Sequence, residues 1–160
     1  MDGTVLNILA LAPALIFAIV FHEVAHGWTA LALGDPTAHE RHRLSLNPLR
    51  HVDPFGTLIL PGMLALAGAP VFGWAKPVPV VQQRLRNPRF GMMAVAAAGP
   101  LTNLVMATLG AVGIGLLLRG GIPTDASLSG YVLLALTYFV AINIFVAFFN
   151  LLPIPPFDGS

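Results

Sequence analysis

The sequence predicts an all-α polytopic membrane protein: a three-span helical core plus a re-entrant or hairpin segment over about residues 57–74. Three observations predict it. Apolar residues make up 56% of the 160 residues and charged ones only 9%, against about 25% charged in an ordinary soluble domain. Three apolar runs exceed the roughly 20 residues that cross a bilayer. The charges collect between the runs, where a membrane protein meets water.

A chain this short cannot bury so much apolar side chain and still cover its surface with 8 basic and 7 acidic residues, so lipid must cover part of it. Mean hydropathy is +0.81, which excludes disorder for the bulk of the chain. The net charge of +1 and the lack of a basic run give no reason to expect nucleic acid. The absence of cysteine excludes a disulfide framework, a thiol nucleophile and a cysteine zinc site.

The first run extends from about Val5 to Leu33. Met1-Asp2-Gly3 before it carries no basic residue, and no small-residue cleavage site leads into a polar region, so it reads as a span and not as a removable signal. The second, Thr57–Trp74, is interrupted by Pro61, Gly62, Gly68, Pro70 and Gly73. The third, Phe90–Leu118, is rich in Ala and Gly, and the fourth, Ser129–Leu152, in Leu, Val and Phe. Loop one carries Arg41, Arg43 and Arg50; loop two carries Lys76, Arg84, Arg86 and Arg89. Basic residues near span ends mark the cytoplasmic face. Both loops share that face only if Thr57–Trp74 enters and leaves on one side, which its prolines and glycines allow where protein covers the backbone. The alternative is a fourth complete span. The expected domain plan is one membrane-embedded core over residues 1–160, cut just after its last motif, Phe157-Asp158-Gly159.

The first run contains His22-Glu23-Val24-Ala25-His26. Ionisable side chains at mid-membrane cost about 3 kcal/mol each on insertion scales, so three in one helical turn need a reason. Side chains four residues apart stand one turn above each other, and two imidazoles so placed can bind one metal ion. Glu23 falls in the same broad sector, close to the ion without having to ligate it. There it can take a proton from an activated water and pass it to a leaving amine. A catalytic zinc site has three protein ligands and an open position. His39, His42, His51, Asp35, Glu40 and Asp53 read as solvated loop residues, with arginines beside them that disfavour a cation. The remaining candidate is Asp158, behind Pro153, Pro155 and Pro156, which end the last helix. Under the three-span topology the first motif, Ala98-Gly99-Pro100-Leu101-Thr102-Asn103 and Asn150–Asp158 converge on the cytoplasmic half.

These residues resemble the site-2 proteases, membrane-embedded zinc metalloproteases. His22-Glu23-x-x-His26 is similar to the family's zinc motif. Asn150-x-x-Pro153-x-x-x-Phe157-Asp158-Gly159 resembles its second motif, with Phe where Leu is usual. Ala98-Gly99-Pro100-x-x-Asn103 resembles a further signature. Asn47-Pro48, His51-x-Asp53-Pro54-x-Gly56-Thr57 and Gly73-Trp74-Ala75-Lys76-Pro77-Val78-Pro79-Val80 look like the compact prokaryotic branch.

The resemblance implies zinc held by His22, His26 and Asp158, with Glu23 as general base, and intramembrane hydrolysis of peptide bonds in a transmembrane protein or peptide. It implies that Asn150 lies near the substrate backbone and that Thr57–Trp74 engages substrate. For Asn103 a helix-packing role is favoured over a substrate-binding one. The rival function is a non-catalytic zinc-binding scaffold that holds a partner helix; the intact Glu23 argues against it, since ligation alone does not require that residue.

Overall fold

The computed structural model describes residues 3–70, 74–121 and 128–152. Three long helices dominate it: α1 (Gly3–Ala32), α4 (Pro88–Arg119) and α5 (Leu128–Asn150). All three are long and apolar enough to cross a membrane. Between α1 and α4 lie the single-turn α2 (Thr37–Glu40) and a π-helical stretch, Pro54–Ile59, that runs into α3 (Leu60–Leu66). No strand occurs among the described residues.

The helices pack through small residues spaced by four. Ala10, Ala14, Ala18, His22, His26 and Ala30 form one buried line along α1. Gly91, Val95, Gly99, Asn103 and Ala107 form the matching line on α4. Residues four apart share a ridge, and small side chains on it let membrane helices approach closely without a hydrophobic drive from water. Asn143 and Ala147 continue the pattern on α5. The opposite faces carry exposed Leu, Ile, Val and Phe, as expected where lipid replaces water.

Cross-helix contacts give the directions. His26 meets Val95, while His22 and Ala18 meet Asn103, so α1 and α4 are antiparallel. Asn143 meets Asn103, and Val140 and Phe139 lie against Gly110, so α5 is antiparallel to α4. The end of α1, the start of α4 and the end of α5 therefore share one end of the bundle. Both basic loops gather there: Arg86 donates its N–H to the Leu33 carbonyl, and Arg84 pairs with Glu40 at 3.1 Å.

Helix α1 stops in a Schellman turn. Gly34 has φ +107°, and the N–H groups of Gly34 and Asp35 return to the Leu31 and Ala30 carbonyls, the pattern that glycine at this position supports. At the start of α4, Asn87 caps the Phe90 N–H and Pro88 takes the first turn, where no N–H is needed.

The 57–74 segment folds back on itself. The Trp74 N–H donates to the Gly56 carbonyl at 3.1 Å, and the Thr57 hydroxyl donates to the Trp74 carbonyl at 2.8 Å. A side chain at Gly56 would collide with the Trp74 indole. The two ends of the segment are thus neighbours, which a complete fourth span does not allow. Asp53 caps the entry by accepting the Phe55 and Gly56 N–H groups. Leu58, Met63 and Leu66 are exposed, and among the described residues α3 makes no contact with the three long helices.

Candidate metal centre

His22 and His26 are both buried on the α1 ridge that faces α4. Their rings meet edge to face, with centroids 4.7 Å apart. Each ring is held through Nδ1. His26 Nδ1 lies 2.7 Å from the Val95 carbonyl, which can only accept, so this nitrogen carries the hydrogen. His22 Nδ1 lies 2.5 Å from Asn103 Oδ1. The Asn103 amide is oriented by its own donors, which go to the Ala18 carbonyl and to Asn143 Oδ1, so His22 Nδ1 also donates. In both rings Nε2 is then the nitrogen with the lone pair.

Both Nε2 atoms face the same spot. A Cβ added to Gly99 would stand 2.5 Å from His26 Nε2 and 2.6 Å from His22 Nε2. Any other residue at position 99 would fill that cradle. Two imidazoles anchored at Nδ1 with converging Nε2 atoms are the donor pair that a first-row divalent metal takes, and the Nδ1 partners are the outer groups that orient such ligands. Zinc fits these residues. Among the described residues no third His, Cys, Asp or Glu joins the pair in a metal-holding group. Asp158, the predicted third ligand, lies outside the described residues, as does the rest of Pro153–Gly159.

Glu23 is held from elsewhere. Its Oε2 accepts the Val78 N–H at 2.9 Å. Val78 belongs to a strap without helix or strand, residues 74–81, tied down at several points. The Lys76 N–H donates to the His51 carbonyl, Arg43 donates to the Lys76 carbonyl at 2.7 Å, and the Val81 N–H donates to Asp35 Oδ2 at 2.6 Å. Gly27, one turn after Glu23, lets the strap approach α1: a Cβ there would lie 2.9 Å from the Val78 side chain. Arg43 is buried beside this contact. Burial pushes its guanidinium down from the ordinary value, and the Glu23 carboxylate pulls the other way.

Two loop-one residues differ from expectation. Asp35 and His51 are buried rather than solvated. Asp35 accepts from the Thr37 hydroxyl, the Thr37 N–H at 3.0 Å and the Val81 N–H, so it is a joint between the loops. His51 Nε2 is bonded to the Ser45 carbonyl. His39, Glu40 and His42 are exposed, and Asp53 serves as a helix cap. Asn150 closes α5, its amide donating back to the Val146 carbonyl at 2.9 Å. Asn103 is wholly buried behind His22.

Sequence reasoning missed Arg43, the Val78 N–H and Asn143. Only Asn143 had a visible signal, as an amide in an apolar span two turns before Asn150. The other two act through contacts distant in sequence.

No protein-family model and no solved structure matches the chain. Curated relatives do. It is 36% identical over 163 residues to a Bacillus subtilis (strain 168) protein named "Putative zinc metalloprotease YwhC", covering 99% of this chain and 71% of that protein. It is 33% identical over 145 residues to "Putative zinc metalloprotease Rip2" of Mycolicibacterium smegmatis. Identity to the Rip2 protein of Mycobacterium tuberculosis is 31% over 151 residues. In both Rip2 comparisons the match covers 90% of this chain and spans about half of the relative, 52%.

Proposed function

The chain belongs to the site-2 protease family of zinc metalloproteases, and from that premise we propose that it hydrolyses peptide bonds within or near transmembrane segments of membrane proteins, as in regulated intramembrane proteolysis. The observation that carries this reading is the convergence of His22 and His26 Nε2 over Gly99, with Glu23 in the same turn of α1.

In this reading His22, His26 and Asp158 hold zinc. The ion, when bound, supplies Lewis acidity toward a carbonyl and a water. Glu23 is the general base. With Oε2 fixed by the Val78 N–H, its other oxygen takes a proton from water and delivers it to the amine of the departing peptide. The Asn103 and Val95 oxygens keep the two imidazoles in the ligating tautomer. Asn150 meets the substrate backbone. The substrate helix unwinds locally before cleavage, because a helical amide is hydrogen-bonded and shielded. The segment over residues 57–74 engages it. In this reading the basic loops face the cytoplasm of a prokaryotic cell, since Lys and Arg beside spans favour that side.

Metal analysis and a cleavage assay on a membrane substrate test the reading together. Wild type is expected to carry one zinc per chain, and His22→Ala and Asp158→Asn to lose most of it. Glu23→Gln keeps the imidazoles, so zinc stays while cleavage falls by about 10²–10⁴-fold, as for a lost general base. Zinc without any Glu23-dependent cleavage would favour the scaffold instead.

A further inference from the structure

Asn143 is fully buried in the middle of an apolar span, where an amide is tolerated only if its polar atoms are paired. They are paired in one direction. Asn143 Nδ2 donates to the Phe139 carbonyl at 2.8 Å. A backbone carbonyl never donates, so this contact fixes which end of the amide is oxygen. Asn143 Oδ1 then accepts from Asn103 Nδ2 at 2.7 Å. The second Asn103 N–H goes to another carbonyl, Ala18, at 3.0 Å. Both donors of Asn103 are spent, and its Oδ1 is turned toward His22 Nδ1. The chain of bonds starts and branches at backbone carbonyls, so its polarity is set by the main chain of α5 and α1.

We propose that Asn143 is a positioning residue for the metal: through Asn103 it locks His22 in the tautomer with hydrogen on Nδ1, so that Nε2 presents its lone pair toward Gly99. Without the Asn143 oxygen, one Asn103 N–H has no acceptor. Rotation of that amide by half a turn then offers its NH₂ group to His22 Nδ1, which moves the ring hydrogen to Nε2, the tautomer that cannot ligate. The Ala18 carbonyl resists that rotation alone. The effect is therefore a mixture of tautomers and a weaker site, not a collapsed one. This inference rests on the reading of His22 as a ligand.

The test compares Asn143→Leu, which keeps the volume and removes the acceptor, with Asn143→Asp, whose neutral acid can donate to Phe139 and accept from Asn103. Two quantities are measured on the full chain in detergent or nanodiscs. One is zinc affinity by competition with a chromophoric chelator. The other is the His22 tautomer in metal-free protein, read from ring nitrogen shifts of histidine-labelled samples and assigned with His22→Ala. Asn143→Leu is expected to weaken zinc by roughly 10–100-fold, the usual cost of losing an outer-sphere partner, and to give His22 a mixed tautomer at unchanged helix content. Asn143→Asp is expected to restore both. Wild-type zinc affinity together with an unshifted tautomer in Asn143→Leu would overturn the proposal, as would failure of Asn143→Asp to restore either. If His22→Ala leaves zinc binding intact, the ligand assignment itself fails, while the tautomer measurement still decides whether Asn143 orients His22.

Discussion

The two sides of α1 do different jobs with different partners. One side carries the ridge of Ala10, Ala14, Ala18, His22 and His26 and is fastened by side chains and carbonyls of α4, with α5 behind them. The adjoining face carries Glu23 and Gly27 and is fastened by a strap between loops. The imidazoles are thus held by intramembrane packing, the carboxylate by loop structure. Metal binding and proton transfer should therefore fail separately.

The largest effect is expected at Gly99. Gly99→Val places a branched side chain where both Nε2 atoms converge. Zinc should fall below detection and cleavage with it. The substitution replaces a poor helix former with a better one, so circular dichroism should still show a helical protein. Full zinc occupancy in this variant would mean that the metal does not bind over Gly99.

A smaller effect, confined to the other side, is expected at Val78. Val78→Pro removes the one N–H that Glu23 accepts there; Val78 lies outside any helix between Pro77 and Pro79, and a residue before proline is biased toward the extended backbone that proline itself tolerates. A hydrogen bond to a charged group contributes about 1.5–3 kcal/mol, so kcat should drop roughly 10–100-fold while zinc affinity stays at the wild-type value. Parallel loss of zinc would show that the two sides of α1 are not independent.

The sequence made one side of α1 far more legible than the other. His22 and His26 announce themselves by spacing, and Gly99 and Asn103 sit in a recognisable motif on the span that packs against them. The three spans were readable from apolar length: Val5–Leu33, Phe90–Leu118 and Ser129–Leu152 against the observed Gly3–Ala32, Pro88–Arg119 and Leu128–Asn150. The return of the 57–74 segment was readable from its prolines and glycines. The strap was not. Its bonds join Glu23 to Val78, Asp35 to Val81 and Arg43 to Lys76, pairs 55, 46 and 33 residues apart, and two of the three use a main-chain N–H that every residue but proline possesses. Asp35 looked like one more loop acid because nothing local marks a carboxylate that a distant amide will meet.

Asp35 is therefore the point at which the strap side can be loosened without touching Glu23. Asp35→Ala leaves the Val81 and Thr37 N–H groups without their acceptor, at about 1–3 kcal/mol for each that stays buried. The Val81 amide should exchange with solvent faster, and kcat should fall less than in Val78→Pro. Zinc affinity should not change. On the proposed mechanism the three variants rank by distance from the chemistry: Gly99 at the metal, Val78 at the base, Asp35 at the support of the base.

The smallest expected effect is the pH dependence of that same joint. Burial raises the tendency of Asp35 to hold a proton, but the Thr37 hydroxyl, the Val81 and Thr37 N–H groups and the positive charge of Arg84 together outweigh it, so its carboxyl lies below the usual value of 3.8. A carboxylate whose folded pKa is depressed contributes stability that is fully present above the unfolded pKa and is lost as pH falls through the folded one. The strap should thus be held equally well at any pH above about 4, the ordinary carboxylate range, and should loosen only below it. Amide exchange at Val81, followed in metal-free protein so that zinc loss does not intrude, should show protection that is flat across neutral and mildly acidic pH and then declines. In Asp35→Asn, which has no charge to lose, the decline should vanish and protection should be lower throughout. A decline of equal size in that variant would place the titrating group elsewhere and remove Asp35 from its role as the joint between the loops.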